Sequence, residues 1–210
     1  MLEGIQQAVL EGDYKTAGQL VEFALSEGIK APSVLNDAMI PAMDIVGREY
    51  ETGIRYIPEM LISAEAMREG MKVLRPYLAD AEIVMRGVVV IGTVKGDMHD
   101  IGKDLVGMML EGAGFQVIDL GIEVTAQRFV ESILEHHANV VAMSALLTTT
   151  MTYMLEVVKA IEAAQLRASV RIIVGGAPVT KEYADRIGVD GYASDAPGAV
   201  ALVRRLLSGA

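Results

Sequence analysis

Val88-Val-Val-Ile-Gly-Thr-Val-Lys-Gly-Asp-Met-His-Asp-Ile-Gly-Lys-Asp104 decides the fold of the carboxyl-terminal part of this chain. Its β-branched opening, Val88–Thr93, reads as a buried strand, a glycine-punctuated turn follows, and a helical pattern begins after that. The rhythm repeats in runs at Gln116–Leu120, Val140–Ser144, Arg171–Val174 and, weakly, Gly191–Ala193, with a helix-competent segment between successive runs. Strand and helix in alternation predict a doubly wound, five-stranded parallel sheet. Such sheets bind ligands at the carboxyl ends of their strands, near the point where strand order reverses. The loop after Thr93 is therefore the first place to look for chemistry.

Upstream the sequence changes character. Asp13 is placed to cap a helix running to about Glu27, and Gly28 to end it. Pro32 starts another, with Leu35, Met39, Met43 and Val46 at spacings of three and four; Pro41 inside it predicts a kink, and Gly53 closes it. From Pro58 onward, Met60, Leu61, Ala64, Met67, Met71, Leu74 and Leu78 make one apolar stripe. A short helix over Leu2–Leu10 brings the number to four, enough for a small bundle. The expected division is a helical domain at 1–85 and an α/β domain at 86–210, joined by a hinge at Ala79–Met85.

Composition removes several classes of function. The 210 residues contain no cysteine and three histidines, which excludes disulfides, thiolate zinc sites, iron–sulfur clusters and a cysteine nucleophile. A net charge of −10, from 28 acidic and 18 basic residues, argues against a nucleic-acid surface. The excess is largest in the helical part, where fourteen acids face seven bases before residue 86. The strongest apolar runs, Gly87–Gly92 and Val140–Leu147, fall far short of the roughly 20 residues of a spanning helix, so no membrane segment is expected. The first residues have no basic stretch followed by an apolar core, and a cytoplasmic protein is expected.

The loop fails as a phosphate cradle. Gly96 and Gly102 enclose five residues where a Walker loop has four, Lys103 is followed by Asp104 where that loop has Ser or Thr, and Asp97 and Asp100 would repel a phosphate. Asp97 stands two residues before His99, where a carboxylate can reach the ring Nδ1, fix the tautomer and make Nε2 a better metal donor. One protein ligand suffices only if a macrocycle supplies the others. The plain alternative is a histidine that caps a helix start or fills a satisfied pocket.

Asp97-x-His99-x-x-Gly102 is followed after 41 residues by Ser144-Ala145-Leu146, and after 28 more by Gly175-Gly176. In order and spacing these elements resemble the signature of the cobalamin-binding domain. Tyr56-Ile57-Pro58-Glu59-Met60-Leu61 and the helix after it are similar to the helical cap that precedes that domain in cobalamin-dependent methionine synthase and in small corrinoid proteins of methyltransferase systems. The resemblance covers almost the whole chain. It implies a helical cap on a Rossmann-like, flavodoxin-like sheet that binds cobalamin or a related corrinoid.

The resemblance also implies a role for each residue. His99 would be the lower axial ligand of cobalt, displacing the cofactor's own base, with Asp97 on its other nitrogen and Thr150, a serine in the synthases, bonded to that Asp. Ser144 and Thr148 would contact the buried nucleotide tail, which Gly175 and Gly176 admit and Ala196 adjoins. Met98, Asp100, Ile101, Gly102 and Leu146 complete the cofactor contacts. Tyr50, a phenylalanine elsewhere in the family, and Ile57 would cover the upper face of the ring. The implied function is a methyl carrier, which accepts a methyl group on cobalt(I) from a substrate-specific methyltransferase and gives it from methyl-cobalt(III) to a second one, with tetrahydrofolate or a thiol as acceptor. A reductive activase would be the third partner.

A corrinoid-dependent sensor would share this signature, but a DNA-reading version needs a basic helix-turn-helix region that this acidic chain does not show. A mutase small subunit leaves the helical part unexplained, and a receiver domain would want an aspartate where Ser144-Ala145 stand. His136-His137 read as the end of a helix. The methionines at 39, 43, 60, 67 and 71 read as core filling, and Glu49, Glu51, Glu65 and Glu69 as a solvated face.

Overall fold

The computed structural model of the chain describes residues 1–78 and 86–208. The hinge expected at Ala79–Met85 lies outside the described residues. Two compact units emerge: Met1–Val84 with Glu111–Gly114, and Met85–Leu110 with Phe115–Ala210.

The helical unit is built from α1 (Leu2–Glu11), α2 (Tyr14–Ser26), α3 (Ala31–Val34), α4 (Ile40–Glu51) and α5 (Ile57–Leu78). Gly12, at φ 73°, ends α1 in the left-handed region, and the Asp13 side chain accepts the Thr16 N–H to start α2. The kink expected at Pro41 takes another form. Residues Leu35–Met39 widen into a π-turn that joins α3 to α4, with the Ile40 N–H reaching the Leu35 carbonyl. Pro41 has no N–H with which to continue an α-helical ladder, and it stands in the first turn of α4, just after the wider turn. Helix α5 runs through Pro76 to Leu78. Met39, Met43, Met60, Met67 and Met71 are all buried, beside Val9, Val21, Leu35 and Leu74. They fill the core, as their spacing predicts.

The α/β unit is an open parallel sheet of five strands in the order β2-β1-β3-β4-β5. The strands are β1 (Val88–Thr93), β2 (Gln116–Asp119), β3 (Val140–Ser144), β4 (Arg171–Gly175) and β5 (Gly191–Ala193). Between and after them run α6 (Ile101–Gly112), α7 (Ala126–His136), the single turn α8 (Thr148–Met151), α9 (Tyr153–Ala163), α10 (Lys181–Ile187) and α11 (Ala196–Ser208). Strands β1, β3 and β4 are buried almost throughout, which is why their sequences are continuous apolar runs and do not alternate. Val90, Val141, Ile172, Phe129 and Ile161 lie in their shared core. His136 ends α7 and His137 caps it with φ 50°, the terminal role that its sequence predicts. The strand order reverses between β1 and β3, so the switch point falls where the His99 loop leaves the sheet.

Candidate functional site

Residues 94–100 form the loop that leaves β1, and backbone bonds pin it on both sides. The Val94 N–H donates to the Ser144 carbonyl (3.0 Å), the Lys95 N–H to the Val124 carbonyl (3.0 Å) and the Glu123 N–H to the Asp97 carbonyl (3.1 Å). Gly96 turns the chain at φ 87°. This delivers the Asp97 carboxylate, fully buried, to the carboxyl end of β3.

Five donors converge on that carboxylate. Oδ1 accepts the His99 ring Nδ1 (2.7 Å) and the His99 backbone N–H (3.1 Å). Oδ2 accepts the N–H groups of Leu146 (2.8 Å) and Leu147 (3.3 Å) and the Thr150 hydroxyl (2.5 Å). The Thr150 oxygen also lies 3.0 Å from the Leu147 carbonyl, but it has one proton, and the shorter contact to a charged acceptor takes it. Burial pushes the Asp97 carboxyl up; the bonds from Thr150, Leu146 and His99 outweigh it and hold the group well below the ordinary carboxylate range.

An ionised Asp97 can only accept, so the His99 proton sits on Nδ1 and the free electron pair on Nε2. The ring is 52% exposed, and among the described residues nothing bonds Nε2. A nitrogen so held can take a proton or donate to a metal. Among the described residues no group of three or more His, Cys, Asp or Glu could hold a bare ion, so a metal here must bring its other ligands with it. The surface around the ring suits a large, flat, partly apolar group. Met98 (69% exposed), Ile101 (85%), Leu146 and Leu147 are four of the five exposed large apolar residues described in the α/β unit, and all belong to the two loops that Asp97 ties together. The site fits a corrinoid.

The other expected contacts fall at the same edge of the sheet. Ser144 ends β3, paired with Thr93 on one side and Gly175 on the other. Thr148 opens α8 and is exposed, as are Asp100 and Gly102; Ala196 is buried at the start of α11. Gly176, at φ 122°, has a reason internal to the fold: a Cβ there would lie 1.9 Å from the Ala145 carbonyl oxygen. A Cβ on Gly175 would meet the Ala193 carbonyl at 3.0 Å. Tyr50 and Ile57 belong to the helical unit, the first partly buried on α4 and the second 40% exposed at the start of α5. Leu147 was not foreseen, since it contributes a backbone amide that no side-chain pattern announces. Glu49, Glu65 and Glu69 are alike about a third exposed, and each is paired, with Arg55, Arg68 and Lys72 in turn.

An open parallel sheet that holds a tautomer-fixed, outward-facing histidine at its switch point defines the class of cobalamin-binding α/β domains. One B12 binding domain family matches residues 87–201, and a second B12 binding domain family matches residues 1–75. The chain belongs to this B12-binding family, in the two-domain form of the corrinoid proteins. It is 36% identical over 210 residues to a corrinoid protein of Desulfitobacterium hafniense (strain Y51), covering 99% of this chain and 97% of that one. It is 40% identical over 204 residues to trimethylamine corrinoid protein 1 of Methanosarcina acetivorans, covering 96% and 94%. Of solved structures, the methanol:cobalamin methyltransferase complex MtaBC of Methanosarcina barkeri matches with a TM-score of 0.88 at 27% identity, over 100% of this chain and 80% of that chain. A cobalamin-binding protein of Desulfitobacterium hafniense DCB-2 matches with a TM-score of 0.74 at 30% identity, over 98% of each.

Proposed function

We propose that the chain is the methyl carrier of a cobalamin-dependent methyltransferase system, with His99 Nε2 as the lower axial ligand in place of the cofactor's own base. The observation that carries this reading is the state of His99, whose Nδ1 is fixed on a buried carboxylate while, among the described residues, nothing bonds Nε2 of its half-exposed ring. When bound, the corrinoid supplies a cobalt that takes a methyl group from one partner and yields it to another. Asp97 holds the Nδ1 proton and so strengthens Nε2 as a donor; when Nε2 carries a proton instead, the same carboxylate stabilises the imidazolium. Thr150 keeps Asp97 ionised and in place.

Met98, Ile101, Leu146 and Leu147 exclude water from the ring's lower side. Ser144, Thr148, Gly175, Gly176 and Ala196 are assigned to the nucleotide tail, Asp100 and Gly102 to the ring edge, and Tyr50 and Ile57 to its upper face. The helical domain at 1–85 would shield the cofactor between partners. The relatives include a trimethylamine corrinoid protein and a methanol:cobalamin methyltransferase complex, and a small methyl donor of that class, brought by its own methyltransferase, is the substrate we assign. A second methyltransferase would pass the group to tetrahydrofolate or a thiol, and a reductive activase would restore oxidised cofactor. No helix among the described residues is long and apolar enough to cross a membrane, and a cytoplasmic location is proposed.

The test is the visible spectrum of protein reconstituted with cobalamin, before and after reduction, for the natural chain and His99→Ala. One corrinoid per chain with its own base displaced is expected, and His99→Ala should lose the nitrogen-ligated spectrum. A natural chain that retains no corrinoid would sink the proposal.

A further inference from the structure

The bonds that hold His99 do not end at Asp97. Thr93, the last residue of β1, is fully buried, and its hydroxyl donates to the His99 carbonyl at 2.9 Å. Its own backbone is occupied on both sides: the N–H donates to the Gly121 carbonyl (3.0 Å), and the carbonyl accepts the Val124 N–H (2.9 Å). The His99 N–H is held by Asp97. Both backbone groups of the proposed ligand therefore meet fixed partners, as does its ring Nδ1.

A second anchor lies four residues further on. Lys103, in the first turn of α6, has a buried side chain, 2% exposed, whose ammonium bonds the carboxylates of Asp104 and Asp119. A cation at a helix start opposes the helix dipole, and a buried one is tolerated only when paired, so this lysine needs both partners. Asp119 ends β2, and its other oxygen accepts the Gly121 N–H at 2.8 Å. Gly121 in turn accepts from Thr93. The connections close a circuit from Lys103 through Asp119, Gly121 and Thr93 to the carbonyl of His99.

From this circuit we infer that Thr93 and Lys103 are positioning residues for His99, clamping the backbone on either side of the ring so that Nε2 is presented in one orientation. The inference rests on His99 being the axial ligand. Asp97 ties the ring and the amide side of His99 to the loop after β3; the clamp ties its carbonyl side to the end of β1. A ligand whose orientation is set in advance loses less freedom when it binds metal.

The test uses the full chain labelled with 15N-histidine, in Thr93→Val, Thr93→Ser, Lys103→Met and a core control, Ile172→Val. Loaded with cobalamin and reduced to cobalt(II), each gives an electron paramagnetic resonance spectrum whose 15N splitting reports the ratio of histidine-coordinated to uncoordinated cobalt. Thr93→Val should lower that ratio about 5-fold, the factor carried by one ordinary hydrogen bond, and Lys103→Met about 2-fold. Thr93→Ser should restore it, and Ile172→Val, which only loosens the core, should leave it unmoved. A natural-chain ratio in Thr93→Val overturns the inference.

If the natural chain shows no 15N-histidine splitting, the axial-ligand reading has failed, and the clamp is judged in protein without corrinoid. There, 15N nuclear magnetic resonance should show one sharp set of His99 ring signals in the natural chain and exchange-broadened signals in Thr93→Val, with the Nδ1–H tautomer kept by Asp97 in both; identical ring line widths overturn the clamp.

Discussion

In each unit of this protein a polar network holds a loop, around Arg55 in one and around Asp97 in the other, and the two differ in how they end. In the helical unit, Arg55 bonds Glu49 through Nε and the Leu10 carbonyl through Nη1 (2.7 Å), and the fully buried Ser63 hydroxyl donates to the same carbonyl at 3.1 Å. The Glu49 carbonyl accepts the N–H groups of Ile54 and Arg55, so the loop between α4 and α5 folds back on the residue that anchors it. That network ends on itself. In the α/β unit, five donors satisfy Asp97, and the chain of bonds runs out to an imidazole nitrogen that bonds nothing among the described residues. A closed network stabilises a loop; one with an unfilled outward atom stabilises a loop in order to offer that atom. Replacing residues of either network tests this distinction.

The largest effect is expected at the open end. His99→Ala should abolish histidine coordination of cobalt, and it should cost the empty protein about 1–3 kcal/mol, because the buried Asp97 carboxylate loses its bond from the ring. A corrinoid spectrum unchanged in His99→Ala would place the ligand elsewhere. Next comes Asp97→Asn, which keeps the shape but removes the charge and presents an amide N–H to donors. Corrinoid affinity or methyl transfer should fall roughly 10–100-fold, the range for loss of a ligand's hydrogen-bond partner. This variant should also destabilise the empty protein, by about 1–3 kcal/mol at neutral pH. The sign of its pH dependence follows from the depressed pKa of Asp97. Asp97 contributes stability above the unfolded carboxylate value of about 3.9, and loses it as pH falls toward the lower folded value. The gap between the natural chain and Asp97→Asn in chemical denaturation should therefore be widest near pH 7 and narrow steadily below about pH 4. A gap independent of pH would show that the carboxylate is not the stabilising form.

What could be read before the structure follows the same division. Strands buried on both faces leave continuous β-branched runs, so β1, β3 and β4 were legible, and Asp97 and His99 were legible because they are two residues apart on one loop. Three of the donors to Asp97 come from some fifty residues away, and two of these are backbone amides, identical in every sequence. Gly176 was legible as a glycine but not for its reason, because the clash with Ala145 depends on how β4 packs on β3. Pro41 announced a broken helix without saying that a π-turn would precede it. The pairing of Glu49 was not legible, because its partner Arg55 becomes a neighbour only when the loop folds back.

The closed network should answer in stability alone. Arg55→Met removes the donor to Leu10 and the partner of Glu49, and leaves a part-buried carboxylate unpaired. A loss of about 1–3 kcal/mol is expected in denaturant unfolding. The cobalt(II) hyperfine ratio of the loaded protein should match that of the natural chain, since the bonds described for this network involve neither His99 nor Asp97. If Arg55→Met shifted that ratio as Asp97→Asn does, the separation of the two networks would fail.

The smallest effects, at Thr150, give the finest test. Its hydroxyl has one proton, and the contest between Asp97 Oδ2 at 2.5 Å and the Leu147 carbonyl at 3.0 Å is won by the charged acceptor. Thr150→Ser keeps the hydroxyl and loses one methyl group from a buried position, so stability should fall by about 1 kcal/mol or less and corrinoid affinity by less than 2-fold. Thr150→Val keeps the shape and loses the donor. Asp97 would retain four of its five donors, its pKa should rise toward the ordinary range, and affinity should fall about 5-fold, the factor of one hydrogen bond. The difference between serine and valine at one position thus separates packing from donation, and equal affinities for the two would mean that the Asp97 network does not depend on Thr150 at all.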